Sequence, residues 1–560
     1  MEDSDQHRGY RCRTRRLKAS GGNILRSAGK EIPIIGITRM KVWEENGCII
    51  ASGSCITRMQ DGRGRVDTDQ IRIDVPVKEN AAKISFGSRF GRPLPLGCSL
   101  NTFRLEIDME EARDFDIQNK LQPVYKGEHG GRFLYSAADL KKGHNKNSAI
   151  FIHDGTSMYL RQNVNNTLCL TVRDANQYDT PEGQKRLKDA KRRARRLKGQ
   201  DIVLMYEKNC AKYEESASVL YEKLIDAGYD NVYFIVDTGI PAVQNVDEKY
   251  KKNFIEKDSD KHLEYFFACS KFVATETIDH ALQLRIASKD VLDKINGKGI
   301  MYVFLQHGVM YMVSLGSNLR VGFNKKKGYK LHRTVVSSEL EAKHFTDLAG
   351  MKHEDLYVTG LAKFDKAVRN ENADKIIIMP TWRRWETNQA KHDLHDTGYY
   401  RMMETMLNGV PEELRDKVII LPHPLISERF SGEEGFGRHV VVTDQYDPLL
   451  RDCALLITDY SSIAYDAYYR GANVIFYWKD KDECMEHYGE GTRLMLDEDN
   501  VFGPVCMDAD DIRRAVADRY GKPQDPEELA RYRKIVEFHD GKNSERILRL
   551  LVRAGVLDPK

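Results

Sequence analysis

The chain has 560 residues, 41% of them apolar, and 87 Lys and Arg against 84 Asp and Glu leave a net charge of +3. Such a length exceeds one hydrophobic core and predicts two to four globular domains, while the balanced charge excludes wholesale nucleic-acid binding and makes local basic clusters the informative feature. No run of eighteen apolar residues occurs, the first thirty residues are basic and polar, and the ten cysteines form no CxxC pair, so neither a membrane span, a signal peptide, a disulfide framework nor a metal site is expected, and the setting reads as a reducing cytoplasm.

Residues 1–30 carry Arg8, Arg11, Arg13, Arg15, Arg16, Lys18 and Arg26 among Gly and Ser, a composition expected to stay disordered. Residues 31–178 change to short alternating runs such as Gln70-Ile71-Arg72-Ile73-Asp74-Val75 and Thr102-Phe103-Arg104-Leu105-Glu106-Ile107-Asp108, broken by turn residues. Period-two alternation at that spacing predicts a small, antiparallel, β-sandwich-like domain with an accessory role. Residues 179–199 form a basic linker helix in this reading, with nine basic residues among the fourteen of 185–198 and only Leu187, Ala190, Ala194 and Leu197 as an apolar stripe. Its basic face is solvated, held electrostatically at an anionic membrane surface, or, the least favoured reading, bound to nucleic acid.

Beyond residue 199 strands and helices alternate. Apolar runs at 201–206, 231–237, 271–275, 301–305 and 334–337 read as strands, with helices at 213–227, 262–269 and 339–349. A second series has strands at 356–359, 375–379, 418–421, 439–442, 454–458 and 474–477. Two sets of βα units imply two doubly wound parallel sheets, residues 200–350 and 351–560, and in such sheets ligands sit beyond the carboxyl ends of the strands.

Polar groups cluster at those ends. Val303-Phe304-Leu305 runs into Gln306-His307-Gly308, Ile377-Ile378-Met379 into Pro380-Thr381-Trp382-Arg383-Arg384, Ile419-Ile420-Leu421 into Pro422-His423-Pro424, and Leu455-Leu456-Ile457 into Thr458-Asp459-Tyr460-Ser461-Ser462. Gly308 permits close backbone approach, Arg383 suits bidentate phosphate contact, and Ser461 and Ser462 open a helix whose N-terminus favours an anion. Asp466, one turn deeper, is placed to receive a sugar or glycerol hydroxyl. This inventory fits transfer chemistry on a diphosphate. A P-loop, GxGxxG, GxSxG and HExxH are all missing, which removes ATP hydrolysis, hydride transfer, esterase and zinc protease readings.

Taken with Ser337-Ser338-Glu339 and Gly360-Leu361-Ala362-Lys363-Phe364-Asp365, these motifs occur in an order that resembles the CDP-glycerol glycerophosphotransferase family, the teichoic acid primases and polymerases, over about residues 206–488. The resemblance implies a GT-B-like pair of Rossmann-type domains and transfer of alditol phosphate from CDP-glycerol or CDP-ribitol to a hydroxyl of a lipid-linked or polymeric acceptor, with release of CMP and no cofactor. It implies His307 as general base, His423 on the donor diphosphate or leaving CMP, and Arg383, Ser461 and Ser462 on phosphate oxygens. Asp466, Thr381 and Ser338 would meet glycerol or ribose hydroxyls, with Gly308 and Trp382 also at the substrate. It further implies a peripheral protein on the cytoplasmic face of the cell membrane. Lys363 stands where many relatives carry Arg, and Gln306 where many carry Trp. A nucleotide-sugar glycosyltransferase or epimerase and a membrane-docked, nucleotide-binding scaffold are the competing readings.

Overall fold

The structure, a computed structural model, describes residues 33–59, 65–74, 82–88, 98–113, 118–126, 128–129, 132–135, 150–162, 167–283, 286–315, 330–386, 389–390, 393–423, 426–430, 437–443, 445–489, 491–497 and 499–560. The tail expected to be disordered and Pro424 lie outside these residues. Two compact units divide between Ala175 and Asn176.

In the first unit a five-stranded sheet runs Ala82–Ser88, Ser99–Asp108, Cys48–Met59, Pro33–Glu45, Arg132–Tyr135, and a four-stranded sheet runs Phe151–His153, Thr156–Gln162, Leu168–Asp174, Gln118–Lys120. Alternating inward residues of both sheets, among them Ile35, Ile49, Leu105, Met158 and Leu170, share one buried core, as in a sandwich. The pairing of Pro33–Glu45 with Arg132–Tyr135 is parallel, a departure from the all-antiparallel expectation.

The second unit opens with α1 (Pro181–Arg193), capped by Thr180, whose side chain accepts from Gly183 N. This helix is not a free linker. Leu187 and Ala190 are buried among Leu263 and Phe266, and Arg186, Lys191 and Arg193 pair with Asp260, Asp290 and Glu264 at 2.9, 2.7 and 2.5 Å.

The N-lobe sheet comprises β1 (Val203–Tyr206), β2 (Val232–Val236), β3 (Phe254–Glu256), β4 (Lys271–Ala274), β5 (Met301–Phe304), β6 (Leu331–Val336) and β7 (Leu356–Val358), hydrogen-bonded in parallel in the order β3-β2-β1-β4-β5-β6-β7. Helices α2 (Ser216–Asp226), α3 (Asp260–Ala268) and α4 (Glu339–Ala349) accompany it, α4 ending on Gly350 at φ 64°. The strand order reverses between β1 and β4, which opens a crevice beyond their carboxyl ends. β7 pairs with β6 through Thr334↔Leu356, so the change of sheet comes after this strand and not between residues 350 and 351.

The C-lobe sheet has β8 (Lys375–Ile378), β9 (Val418–Ile420), β10 (Cys453–Thr458), β11 (Asn473–Tyr477) and β12 (Val505–Cys506) in the parallel order β9-β8-β10-β11-β12. All six residues of β10 are buried, as a central parallel strand requires. Here the reversal falls between β8 and β10. Helix α5 (Gly398–Gly409) packs beside β8, and α6 (Ile463–Tyr469) follows β10. The stretch 439–442, expected as a strand, makes a single bridge, Ile420↔Val440, and leaves Val442 exposed. At the end of the chain α7 (Asn543–Arg553) returns to the N-lobe against α2, its first N–H groups capped by Asp365, which accepts from Asn543 N and Ser544 N at 2.9 and 2.7 Å. Two doubly wound sheets with both reversal points facing one cleft are thus the architecture.

Candidate active site

The N-lobe presents its chemistry on three turns. After β5, Gln306 is fully buried at φ 62°, a conformation that costs a non-glycine residue about 1–3 kcal/mol, and its Nε2 donates to Val335 O at 2.5 Å. His307 follows with its side chain 48% exposed. The turn is tied down by buried Glu341 on α4, which accepts from Met310 N at 2.7 Å and from Ser337 N and Oγ at 2.5 and 2.7 Å. Burial raises the Glu341 carboxyl, and the Ser337 and Met310 hydrogen bonds oppose that rise. After β4, Glu276 brings Oε1 to 3.6 Å from His307 Nδ1, while its own carbonyl accepts from Tyr302 Oη at 2.8 Å. A carboxylate on the Nδ1 side leaves Nε2 as the outward, basic nitrogen.

After β1, buried Glu207 accepts from Glu214 N, Glu215 N and Ser218 N, each at 2.9 Å, which fixes the entry of α2. Burial and the neighbouring Glu215 raise this carboxyl above its ordinary range.

In the C-lobe the ends of β8 and β10 are locked together. Asp459 accepts from Thr381 N at 2.9 Å, Thr381 Oγ1 at 2.8 Å and Arg383 Nη1 at 2.7 Å. Arg383 also donates through Nε and Nη2 to Asp480 at 2.8 and 3.1 Å, and Tyr460 Oη meets the same carboxylate at 3.0 Å. Ser461 and Ser462 stand just beyond this lock. Ser461 Oγ accepts from Ile463 N at 3.4 Å, whereas the Ser462 hydroxyl makes no cap.

Both lobes line one cavity of about 970 Å³, which includes Lys208, Glu276, His307, Lys363, Ser461, Ser462 and Asp466. Lys363, just after β7, bridges the lobes by donating to His307 O at 2.9 Å and pairing with Asp466 Oδ1 at 2.5 Å. A Cβ on Gly308 would lie 3.0 Å from Ser462 Oγ, so any larger residue would press the Ser462 hydroxyl away and glycine suits the close approach of the imidazole turn to the serine turn.

The family described as CDP-Glycerol:Poly(glycerophosphate) glycerophosphotransferase matches residues 190–553. The chain belongs to this family. Among curated proteins it is 23% identical over 301 residues to the minor teichoic acid biosynthesis protein GgaB of Bacillus subtilis (strain 168), a match covering 48% of this chain and 31% of the relative's length. Among solved structures it is similar to the wall teichoic acid polymerase TagF, at 15% identity and a TM-score of 0.47 over 66% of this chain and 94% of that one. It is also similar to S. aureus MnaA in a co-structure with UDP, at 12% identity and a TM-score of 0.36 over 64% of this chain and 98% of that one.

Of the residues expected at the site of this family member, the cavity gathers His307, Ser461, Ser462 and Asp466, with Gly308 packed against Ser462. Asp466 lines the cavity with its Oδ1 paired to Lys363. The others stand behind it. Arg383 is only 2% exposed and its guanidinium is committed to two carboxylates, so the phosphate contact expected of it is not what the structure shows. Ser338 caps α4, its Oγ accepting from Glu341 N at 3.1 Å, and is buried away from any substrate hydroxyl. Trp382 is a core residue, edge-on to Tyr399 with ring centroids 5.0 Å apart. Thr381 is spent on Asp459. His423 is half-buried, its N–H donating to Tyr399 Oη at 3.1 Å, and it does not line the cavity. Burial, then the charges of Lys208 and Arg384, push its imidazole down to about 4.

Glu276, Lys208 and Glu207 escaped the sequence reading, although each follows an apolar strand just as His307 does.

Two outcomes follow. Arg383→Ala strands Asp459 and Asp480 without their cation and should cost about 3–5 kcal/mol in denaturant unfolding, whereas loss of an exposed phosphate ligand would stay within about 0.5 kcal/mol. The His423 ring should titrate near pH 4 by NMR, below its ordinary 6.5, so the folded state binds fewer protons than the unfolded one between these values and its contribution to stability falls as pH drops from 6.5 to about 4.

Proposed function

We propose that this chain transfers glycerol phosphate from CDP-glycerol to a hydroxyl of a lipid-linked or polymeric acceptor. The observation that carries the reading is His307, backed by Glu276, opening into the same cavity as the Ser461–Ser462 turn. His307 Nε2 takes the acceptor proton as the acceptor oxygen forms a bond to the glycerol-bearing phosphorus. The bond from that phosphorus to the bridging oxygen breaks, and CMP leaves with the electron pair. Phosphoryl transfer rests mainly on positioning and charge compensation, and the chain supplies the first through Gly308 and the two locked turns. His423, half-buried outside the cavity and with its imidazole pushed down to about 4, is given no part in this step.

The match to the GgaB relative spans about a third of that protein, so the acceptor is assigned here by chemistry alone. His307→Ala should lower CMP release by about 10² to 10⁴-fold while CDP-glycerol still binds. Unchanged turnover removes the proposed base. CDP-ribitol, assayed separately, tests the choice of alditol.

The same reading places the chain at the inner face of the membrane. No helix among the described residues is long and apolar enough to cross one. On α1 and the turn after it, Lys185, Lys188, Arg192, Arg195, Arg196 and Lys198 face outward, while Arg186, Lys191 and Arg193 are held by the N-lobe. Basic residues near an anionic surface contribute about 1 kcal/mol each. Replacing those six by Gln should therefore release the protein from phosphatidylglycerol vesicles in a sedimentation assay, and retained binding would refute the contact.

A further inference from the structure

The proposed reaction needs positive charge beside the diphosphate, and Arg383 does not provide it. Most cations along the cavity are also committed. Lys363 pairs with Asp466, Lys366 with Glu222, Lys212 with Glu214, and Arg451 and Arg470 both with Asp447. Lys208 differs. It is exposed into the same cavity, and among the described residues no carboxylate pairs with it.

Its position is built. Lys208 follows β1 at the strand-order reversal of the N-lobe, where an open α/β sheet accepts ligands. The next two residues, Asn209 and Cys210, take φ 53° and 54°, left-handed values that a chain keeps only where its surroundings impose them. Those surroundings are evident. Glu207 is fixed by three N–H groups on one side, and on the other Cys210 Sγ donates to His280 O and Ala281 O at 3.4 Å, Asp237 N donates to Cys210 O at 2.8 Å, and Asn209 Oδ1 lies 2.8 Å from His280 Nδ1. A strained turn anchored on both flanks thus holds one exposed lysine on the cavity wall.

We propose that Lys208 is a diphosphate-binding residue, its ammonium pairing with the pyrophosphate oxygens of the donor across the cavity from Ser461 and Ser462. The assignment rests on the CDP-glycerol reading for the identity of the donor, and on the cavity alone for its diphosphate. Lys208 also acts on the C-lobe, since its charge helps depress the His423 imidazole. A lysine pairs with phosphate as a point charge, so arginine should substitute for it where glutamine cannot.

The test measures binding of inorganic pyrophosphate, CDP-glycerol and cytidine to the full chain and to Lys208→Gln and Lys208→Arg, with CMP release followed in parallel. The expected result is a loss of about 10- to 100-fold for pyrophosphate and CDP-glycerol in Lys208→Gln, as for a charged hydrogen bond, with cytidine unaffected and Lys208→Arg close to the parent. Equal pyrophosphate binding by Lys208→Gln and the parent, or no pyrophosphate binding by the parent, overturns the assignment. Lys208-dependent pyrophosphate binding by a parent that neither binds nor turns over CDP-glycerol supports the diphosphate site and overturns the CDP-glycerol reading, so the two failures are separable.

Discussion

The ion pair that the C-lobe half of the cleft depends on is the buried contact of Arg383 with Asp459 and Asp480. Withdrawing a guanidinium from water is costly, and it is tolerated only when the remaining donors are satisfied. Here they are, because Nη1 also reaches Thr381 O at 2.6 Å and Tyr460 shares Asp480. The carboxylate of Asp459 spends its remaining lone pairs on Thr381 N and Oγ1, which fixes the turn after β8 relative to the turn after β10. Since Ser461 and Ser462 leave that second turn directly, their place in the cavity is inherited from a residue that never touches it. The N-lobe solves the same problem with one carboxylate and neutral donors, Glu341 holding Met310 and Ser337 and thereby the His307 turn. Each lobe therefore fixes its strand-end loops from behind, at or beside the point where strand order opens a crevice.

This division of labour explains the electrostatics of the cavity. Charges that organise the fold sit in pairs, and pairing removes them from service toward a ligand. Lys363 and Asp466 make the clearest case, a nearly buried ion pair with 13% and 9% of the side chains exposed, spanning from the end of β7 to α6. The lysine also donates to the carbonyl of His307, so one ammonium ties the imidazole turn to α6. The polar cleft is largely self-neutralised, and an unpaired charge there stands out against that background.

Much of this architecture was legible in the sequence. Uninterrupted apolar runs such as Cys453–Thr458 marked central parallel strands, and the polar groups after them marked the ligand edge. The order in which strands pair was not legible, since β1 lies beside β4 because of packing that no local pattern encodes. Assigning β7 to the wrong sheet has the same origin, because a three-residue strand carries no sign of its partner. Arg383 is the more instructive case. Its position after β8 was visible, but its partner Asp480 lies 97 residues away in sequence, and burial inverts the meaning of a guanidinium from ligand to scaffold. Ser338 shows the same ambiguity on a smaller scale, for a serine before a helix is equally a cap and a ligand.

The backbone adds a second, independent line to these electrostatic arguments. Gln306, Asn209 and Cys210 take left-handed φ values in the turns that follow β5 and β1, and each has a side chain anchored to neighbouring structure rather than solvent. Glycine would adopt those angles without strain, so a chain selected for stability alone has an easier solution. What the larger side chains add is fixation. Gln306 hooks onto Val335 O, and Asn209 onto His280, and each hook anchors the residue beside one whose side chain lines the cavity. Those neighbours are His307 and Lys208. Strain placed one residue away from an exposed imidazole and from an exposed ammonium, at two turns of one sheet, is what preorganisation of a base and a charge requires, because both groups must hold their positions before a substrate arrives to order them.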